Sequence, residues 1–382
     1  MKLRMGMIGG GEGSLIGPVH RMAARLDGLA GLVCGTFSSD PELSLATGIA
    51  EGLPSSRIYA DWKDMIRTES TLPAEVKPHF ISIVTPNHLH YGPAKMALEA
   101  GFHVICDKPL CISVAEALDL HETVERTGRL FCLTHNYTGY PMVKKAREMV
   151  TGGEIGKIRK VIVEYLQGWL STPVEMTGNR QAVWRSDPSR AGIAGAMADI
   201  GTHAFNLAEY ITGGEVVSLS AELHSTLQGR KLDDDGTVTL SFADGFRGTL
   251  LASQVATGEE NNLSIRIYGE KGGIYWRQME PNTLTLMWPD APVQLFRTGT
   301  SFTGTGPAAA MHTRIPAGHP EGFIEAFANL YRNFCMHIRA LEEGRQPPET
   351  ADYPGIHEGV RGMKFLEAAV ASSKNGSLLM SL

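Results

Sequence analysis

Leu3-Arg4-Met5-Gly6-Met7-Ile8-Gly9 runs straight into Gly10-Gly11-Glu12-Gly13-Ser14-Leu15-Ile16-Gly17. The first seven residues read as a buried strand. The glycines after it let the backbone turn sharply and approach a bound pyrophosphate. Val19, Met22, Ala23 and Leu26 repeat at helical spacing over 18–27, so the turn leads from strand into helix. A helix N-terminus in that place offers free N–H groups to phosphates. Gly9 and Gly11 fill the first two places of a Gly-x-Gly-x-x-Gly pattern, and Gly17 comes three residues late for the third. Strand, glycine turn and helix in this order predict dinucleotide binding at the carboxyl end of a parallel sheet.

Outward from this turn, apolar runs at 31–37, 79–85, 103–106 and 129–134 alternate with helical stretches at 93–100 and 114–127. Asp40-Pro41-Glu42 opens another helix, and 59–65 reads as a short strand end followed by a helix. The alternation predicts an α/β chain whose residues 1–134 form an N-terminal Rossmann domain, a doubly wound parallel sheet. After a helix at 141–151 the pattern changes. Strand-like runs follow at 158–170, 216–227, 236–242, 246–255, 263–268, 273–277 and 283–288, with hairpin turns at Ala243-Asp244-Gly245 and Glu270-Lys271-Gly272. This predicts a C-terminal α+β domain over 135–382, with a large, mostly antiparallel open sheet. Helices near 320–343 and 356–374 close it, and 298–318 reads as a long loop. If the sheet face left bare by helices is apolar, it pairs with a second copy. A homodimer or homotetramer through that sheet is the expectation.

The 382 residues suffice for two well-buried cores, and 43% hydrophobic with 20% charged residues describe a soluble globular chain. A net charge of −6 counts against nucleic acid or an anionic membrane as partner. No apolar run spans a bilayer, and the opening residues show no secretory leader pattern. Cys34, Cys106, Cys111, Cys132 and Cys335 form no Cys-x-x-Cys pair and read as buried reduced thiols of a cytoplasmic protein. Cys106 lies inside an apolar strand, where packing is preferred over nucleophilic chemistry. Asp233-Asp234-Asp235 reads as a solvated turn. His88-x-His90 has no cysteine or acidic partner, so no metal is expected.

Several motifs belong together. They are the opening glycines with Val19-His20, Thr85-Pro86-Asn87-His88-Leu89-His90, and Ala97-Leu98-Glu99-Ala100-Gly101-Phe102-His103-Val104. Lys108-Pro109, Trp184-Arg185-Ser186-Asp187-Pro188 and Asp199-Ile200-Gly201-Thr202-His203 follow in order. As a set they resemble the Gfo/Idh/MocA family, the glucose–fructose oxidoreductase and inositol dehydrogenase group, over nearly the whole chain. The resemblance implies nicotinamide-dependent oxidation or reduction at a sugar or polyol carbon. It places Lys108, Asp199 and His203 at the family's catalytic positions. Two departures stand out: the usual Glu-Lys-Pro is Asp107-Lys108-Pro109 here, and the opening turn carries the extra residues Glu12 to Ile16.

Hydride transfer from a carbinol requires removal of the hydroxyl proton as hydride leaves for the nicotinamide. His203 is the candidate base, because a histidine titrates near neutrality. Lys108, at the carboxyl end of its strand, is suited to stabilise the developing alkoxide or to share the proton work. Asp199 stands four residues before His203, one helical turn away, and is placed to orient the imidazole or bind a substrate hydroxyl. Arg185 beside Trp184 suits a carbohydrate, as a bidentate donor next to a stacking ring. Together with Tyr137 these form the expected substrate set. The expected cofactor set is Gly9, Gly11, Gly17, Ser38, Thr85, Pro86, Asn87, His90, Asp107, Lys108 and Asn136. Ser38 stands where an acidic side chain normally holds the adenosine ribose, which leaves NADP open beside the preferred NAD. Two other functions compete: an NAD-dependent glycoside hydrolase using transient C3 oxidation and elimination, and a non-catalytic nucleotide sensor. Retention of Lys108, Asp199 and His203 counts against the sensor.

Overall fold

Five apolar runs, β1 (Leu3–Gly9), β2 (Ala30–Thr36), β3 (Phe80–Val84), β4 (His103–Cys106) and β5 (Phe131–Leu133), pair as a parallel sheet in the order β2-β1-β3-β4-β5. Helices cover both faces of such a sheet, so its strands are largely apolar rather than alternating; all five residues of β3 are buried. An isolated parallel bridge joins Gly35 of β2 to Ile58. It stands where a further edge strand belongs. Counting it, the order is the 3-2-1-4-5-6 of dinucleotide-binding folds, with one strand reduced to a single bridge. The strand end expected near 59–65 is this bridge, and the helix begins at Trp62.

The computed structural model describes residues 2–300 and 306–382. The chain divides into two compact units, Met1–Asn136 with Phe323–Val360, and Tyr137–Gly322 with Arg361–Leu382. In the first unit the helices are α1 (Ile16–Leu26), α2 (Pro41–Ala50), α3 (Trp62–Ser70), α4 (Tyr91–Glu99) and α5 (Val114–Thr127). The side chain of Asp40 caps α2 by accepting from the N–H groups of Glu42 and Leu43. Gly128, at φ 62°, stops α5. The helix Phe323–Glu342 packs against α1 in this unit. Its Phe327 lies 4.9 Å from the His20 ring, its Phe334 meets Phe80 edge-on at 5.6 Å, and its Tyr331 hydroxyl lies 2.8 Å from both His20 Nδ1 and Ser82 Oγ. Each of these buried aromatics contributes about 1.5–3 kcal/mol by leaving water. That is why a late segment groups with the first sheet.

The second unit contains α6 (Pro141–Thr151), β6 (Ile158–Leu166), α7 (Arg180–Arg185), α8 (Pro188–Ala191), a π-turn at Met197–Gly201 and α9 (Thr202–Thr212). Then come β7 (Val216–His224), β8 (Asp235–Phe242), β9 (Arg247–Ser253), β10 (Asn262–Gly269), β11 (Gly273–Arg277), β12 (Thr283–Met287), β13 (Gln294–Arg297), α10 (Gly306–Met311) and β14 (Met380–Ser381). The nine strands form one sheet in the order β13-β12-β11-β10-β6-β9-β8-β7-β14. All neighbours are antiparallel except β6 and β9, which run parallel. Both hairpin turns read from the sequence join antiparallel neighbours, β8 to β9 and β10 to β11. Along β6, Val161, Val163 and Tyr165 are buried, whereas Ile162, Glu164 and Leu166 on the opposite face are half-buried.

Four expectations are corrected. The run at 158–170 leaves the sheet after Leu166, where the N–H groups of Gln167 and Leu170 turn to the carbonyls of Ser253 and Gln254. The run at 216–227 stops at His224, because the Asp234 carboxylate takes the N–H groups of Thr226 and Leu227. β13 and β14 were not foreseen; they are short, and three of the four residues of β13 are exposed. The loop expected over 298–318 contains α10, and its residues 301–305 lie outside the described residues. Among the described residues no helix is long and apolar enough to cross a membrane.

Candidate active site

In the first unit the glycine turn is closed to side chains. Gly9 and Gly10 adopt φ of 86° and 76°, the left-handed region that glycine enters without strain. A Cβ on Gly17 would lie 2.4 Å from both the Cα and the carbonyl oxygen of Gly10. A Cβ on Gly11 would lie 2.7 Å from the Phe37 carbonyl, which accepts the Gly11 N–H at 2.9 Å. The late position of Gly17 follows from the extra residues. Ser14 folds back so that its hydroxyl accepts the Gly17 N–H at 3.2 Å, and α1 still packs directly on the turn. Arg21 of α1 ties the turn down by donating to the Gly10 carbonyl at 2.7 Å.

At the end of β2 the Ser38 hydroxyl accepts the Asp40 N–H at 3.1 Å, and the Asp40 carboxylate is engaged in capping α2. After β3, Pro86 leads into the short turn Asn87–Leu89, whose Asn87 is buried. The buried His90 straps this turn to the next one. Its Nε2 lies 2.8 Å from the Thr85 carbonyl and its Nδ1 2.7 Å from the Pro109 carbonyl. Burial lowers its pKa, against the pull of Asp107 and of the two carbonyls.

After β4, the Asp107 N–H donates to the Ile83 carbonyl at 2.9 Å. The Asp107 carboxylate accepts the Lys108 N–H at 2.9 Å and the Thr134 hydroxyl at 2.8 Å. The shorter acid is therefore held locally, on the backbone that carries Lys108. The Lys108–Pro109 peptide is cis, and Lys108 is half-buried. Burial, reinforced by the Lys108 charge, pushes the neighbouring His135 down to about 3, so its ring is neutral near pH 7. The next side chain, Asn136, is buried with an amide Nδ2 that has no hydrogen-bond partner among the described residues. A cradle that excludes any Cβ and an unanswered buried amide donor both fit a dinucleotide. The Cys106 thiol is fully buried and its pKa lies well above the usual range, in line with a packing role.

In the second unit, Asp199 sits in the π-turn and His203 near the start of α9, so the two are not the i,i+4 pair of a regular α-helix. Asp233 anchors the entry to this turn, its carboxylate accepting the N–H groups of Gly195 and Met197 at 2.7 Å each. Asp234 is buried and paired with Arg230 at 3.0 Å. The solvated turn expected at Asp233-Asp234-Asp235 is thus a structural clamp, because its carboxylates face backbone donors and an arginine. Asp199 Oδ2 accepts from Arg185 Nε at 3.1 Å and from Gln254 Nε2 at 2.9 Å. The Arg185 guanidinium lies 4.2 Å from the Trp184 ring centroid and donates to Gln181 Oε1 at 2.7 Å. Arg185 and Trp184 therefore stack on each other. His203 is buried, with the Tyr137 ring edge-on at 4.8 Å and the Tyr165 ring at 6.2 Å.

Sequence reading missed Gln167, Tyr165, Gln254, Asn261 and Asp233. A signal existed for two of them: Gln167 and Gln254 are the first residues past the ends of β6 and β9. Those strands are parallel, so both amides emerge at the same end of the sheet.

A parallel sheet with a closed glycine turn in one unit, and a carboxylate and a histidine in the other, are features that a nicotinamide-dependent oxidoreductase requires. Residues 3–137 match the oxidoreductase family with an NAD-binding Rossmann fold, and residues 143–275 match the GFO/IDH/MocA C-terminal domain. The chain belongs to the Gfo/Idh/MocA family of oxidoreductases, and its first unit carries that family's NAD-binding Rossmann domain. It is 32% identical to the uncharacterized oxidoreductase YfiI of Bacillus subtilis, over 98% of this chain and 96% of that one. It is 29% identical to levoglucosan dehydrogenase of Pseudarthrobacter phenanthrenivorans, over 80% and 81% of the two chains. Among solved structures, an inositol dehydrogenase homolog from Azotobacter vinelandii complexed with NAD+ is 34% identical. It superposes with a TM-score of 0.94 over 100% of this chain and 98% of that one. None of these three names supports the alternative of a glycoside hydrolase.

Proposed function

We propose that the protein oxidises a secondary carbinol of a cyclitol or a sugar, with NAD+ as hydride acceptor. The observation that carries the reading is the fixed carboxylate of Asp199, held by Arg185 and Gln254 shortly before the buried His203. A carboxylate only accepts, so Asp199 is suited to take a hydrogen bond from a substrate hydroxyl. His203 takes the hydroxyl proton, and Lys108 donates to the oxygen as negative charge develops. Bound NAD+ supplies the hydride-accepting carbon of its nicotinamide ring. Gly9, Gly11 and Gly17 admit the pyrophosphate, Ser38 faces the ribose, and Thr85, Pro86, Asn87 and Asn136 form the nicotinamide side. His90 and Asp107 hold these turns and Lys108 in place. Tyr137 shapes the substrate end, with Trp184 and Arg185 at its rim.

The substrate class rests on the names of the relatives, a levoglucosan dehydrogenase and an inositol dehydrogenase homolog. We further assign the reaction to the cytoplasm, in keeping with five free, buried cysteines. A homo-oligomer is proposed through the sheet face bearing Ile162, Leu166 and Leu251, which light scattering reads directly.

A panel of cyclitols, hexoses, levoglucosan and aryl glycosides with NAD+ or NADP+, followed by the absorbance of reduced nicotinamide, tests the reading. NADH formation with a cyclitol or sugar is expected. Release of the aryl group without net NADH would favour the hydrolase, and no reaction across the panel would remove the proposal.

A further inference from the structure

The polar groups around Asp199 form one continuous chain within the second unit, and its direction is fixed. A carboxylate only accepts, so Gln254 presents its NH2 to Asp199 Oδ2 at 2.9 Å. The same nitrogen lies 3.2 Å from Gln167 Oε1, leaving the Gln167 NH2 to donate to Asn261 Oδ1 at 2.7 Å. Asn261 Oδ1 also accepts the Tyr165 hydroxyl at 2.7 Å, and Asn261 Nδ2 donates to the Tyr137 hydroxyl at 3.3 Å. With its proton directed at Asn261, Tyr165 receives that of Tyr137 in their mutual hydrogen bond. The Tyr137 ring then meets the His203 imidazole edge-on at 4.8 Å. The charge on Asp199 orients Gln254, the Trp169 indole N–H donates to Gln167 Oε1 at 3.1 Å and holds Gln167 in the same sense, and the chain ends on the ring that packs against His203.

We infer that Gln254 is a positioning residue: through this relay it fixes Asp199 as an acceptor and sets the ring that flanks His203. Gln254 is itself buried, with 2% of its surface exposed, so water does not readily replace it. The inference rests on the reading of Asp199 and His203 as the groups that handle the substrate.

Gln254→Glu and Gln254→Leu test it, in the whole protein with NAD+ and the panel's best substrate. In Gln254→Glu two carboxylates meet at hydrogen-bonding distance and share a proton, which raises one of their pKa values strongly. Below that pKa the protonated glutamic acid donates to Asp199 as the amide did; above it the two charges repel. The expected result is a kcat close to that of wild type at the same low pH, with a new fall relative to wild type of about tenfold or more as the pH rises toward 8. Gln254→Leu should lose about ten- to a hundredfold in kcat, with the limbs of its pH profile unmoved. A purely structural role would lower the Tm of both variants and leave the shape of both profiles intact.

Thermal unfolding gives a readout that needs no substrate. A shared proton is favoured in the folded state, so Gln254→Glu is stable relative to Gln254→Leu at low pH and loses that stability as pH rises. Parallel Tm curves from pH 5 to 8, or a wild-type pH–rate profile in Gln254→Glu, would overturn the inference. A wild-type enzyme inert across the panel would instead count against the proposed reaction, while the unfolding curves still decide on the contact.

Discussion

The two halves of the proposed chemistry are held by different means. In the first unit the groups near Lys108 are fixed by backbone. Glycines leave no room for a Cβ, Asp107 binds the Lys108 N–H, and His90 faces two carbonyls. In the second unit Asp199 and His203 are held by side chains, from Arg185 through Gln254 and Asn261 to Tyr137. A site made by backbone fails abruptly when an atom is added to it. A site made by a side-chain network fails by degrees as its members are removed.

The sharpest test of that contrast is Gly17→Val. Its Cβ falls 2.4 Å from backbone atoms of Gly10, which cannot give way as a flexible side chain does. NAD+ binding measured by calorimetry should vanish, and normal affinity would break the comparison on the backbone side. His203→Ala comes next. Turnover should fall about 10²–10⁴-fold, and the acidic limb of the pH–rate profile should disappear. An unmoved limb would assign the proton elsewhere.

Acid sharpens the comparison further. Burial pushes His20, His79, His103 and His135, all in the first unit, down to about 4, 4, 3 and 3. Between those values and the ordinary histidine pKa near 6.5, the unfolded chain binds protons that the folded chain refuses. Stability therefore falls as pH drops through that window. Limited proteolysis at pH 7 and pH 5 should show first-unit sites opening earlier, together with weaker NAD+ binding. Cleavage that starts in the second unit would contradict this. Asp107→Glu should have the smallest effect. Rearranging its two bonds costs about 1 kcal/mol, so kcat should stay within about tenfold of wild type.

The same contrast explains what the sequence revealed. Gly9 to Gly17 and Asp107-Lys108-Pro109 are legible because backbone geometry is written in adjacent residues. The parallel sheet was legible for a like reason, since unbroken apolar strands alternate with helices. The amides Gln167, Gln254 and Asn261 were not, because each is an unremarkable polar residue until β6 and β9 run side by side. The π-turn at Met197–Gly201 was read as ordinary helix, since its pinning by Asp233 comes from residues more than thirty positions later. The helix Phe323–Glu342 carries a clear apolar stripe, but the stripe does not say that its partners are α1 and Phe80.

Lys108→Ala tests the central claim most directly, with NAD+ affinity and single-turnover NADH formation measured on one sample and the best substrate of the panel. Removing a charge that acts as the alkoxide develops should cost about 10²–10³-fold in the single-turnover rate while NAD+ affinity stays near that of wild type. A variant that still reduces NAD+ at close to the normal rate would contradict the account.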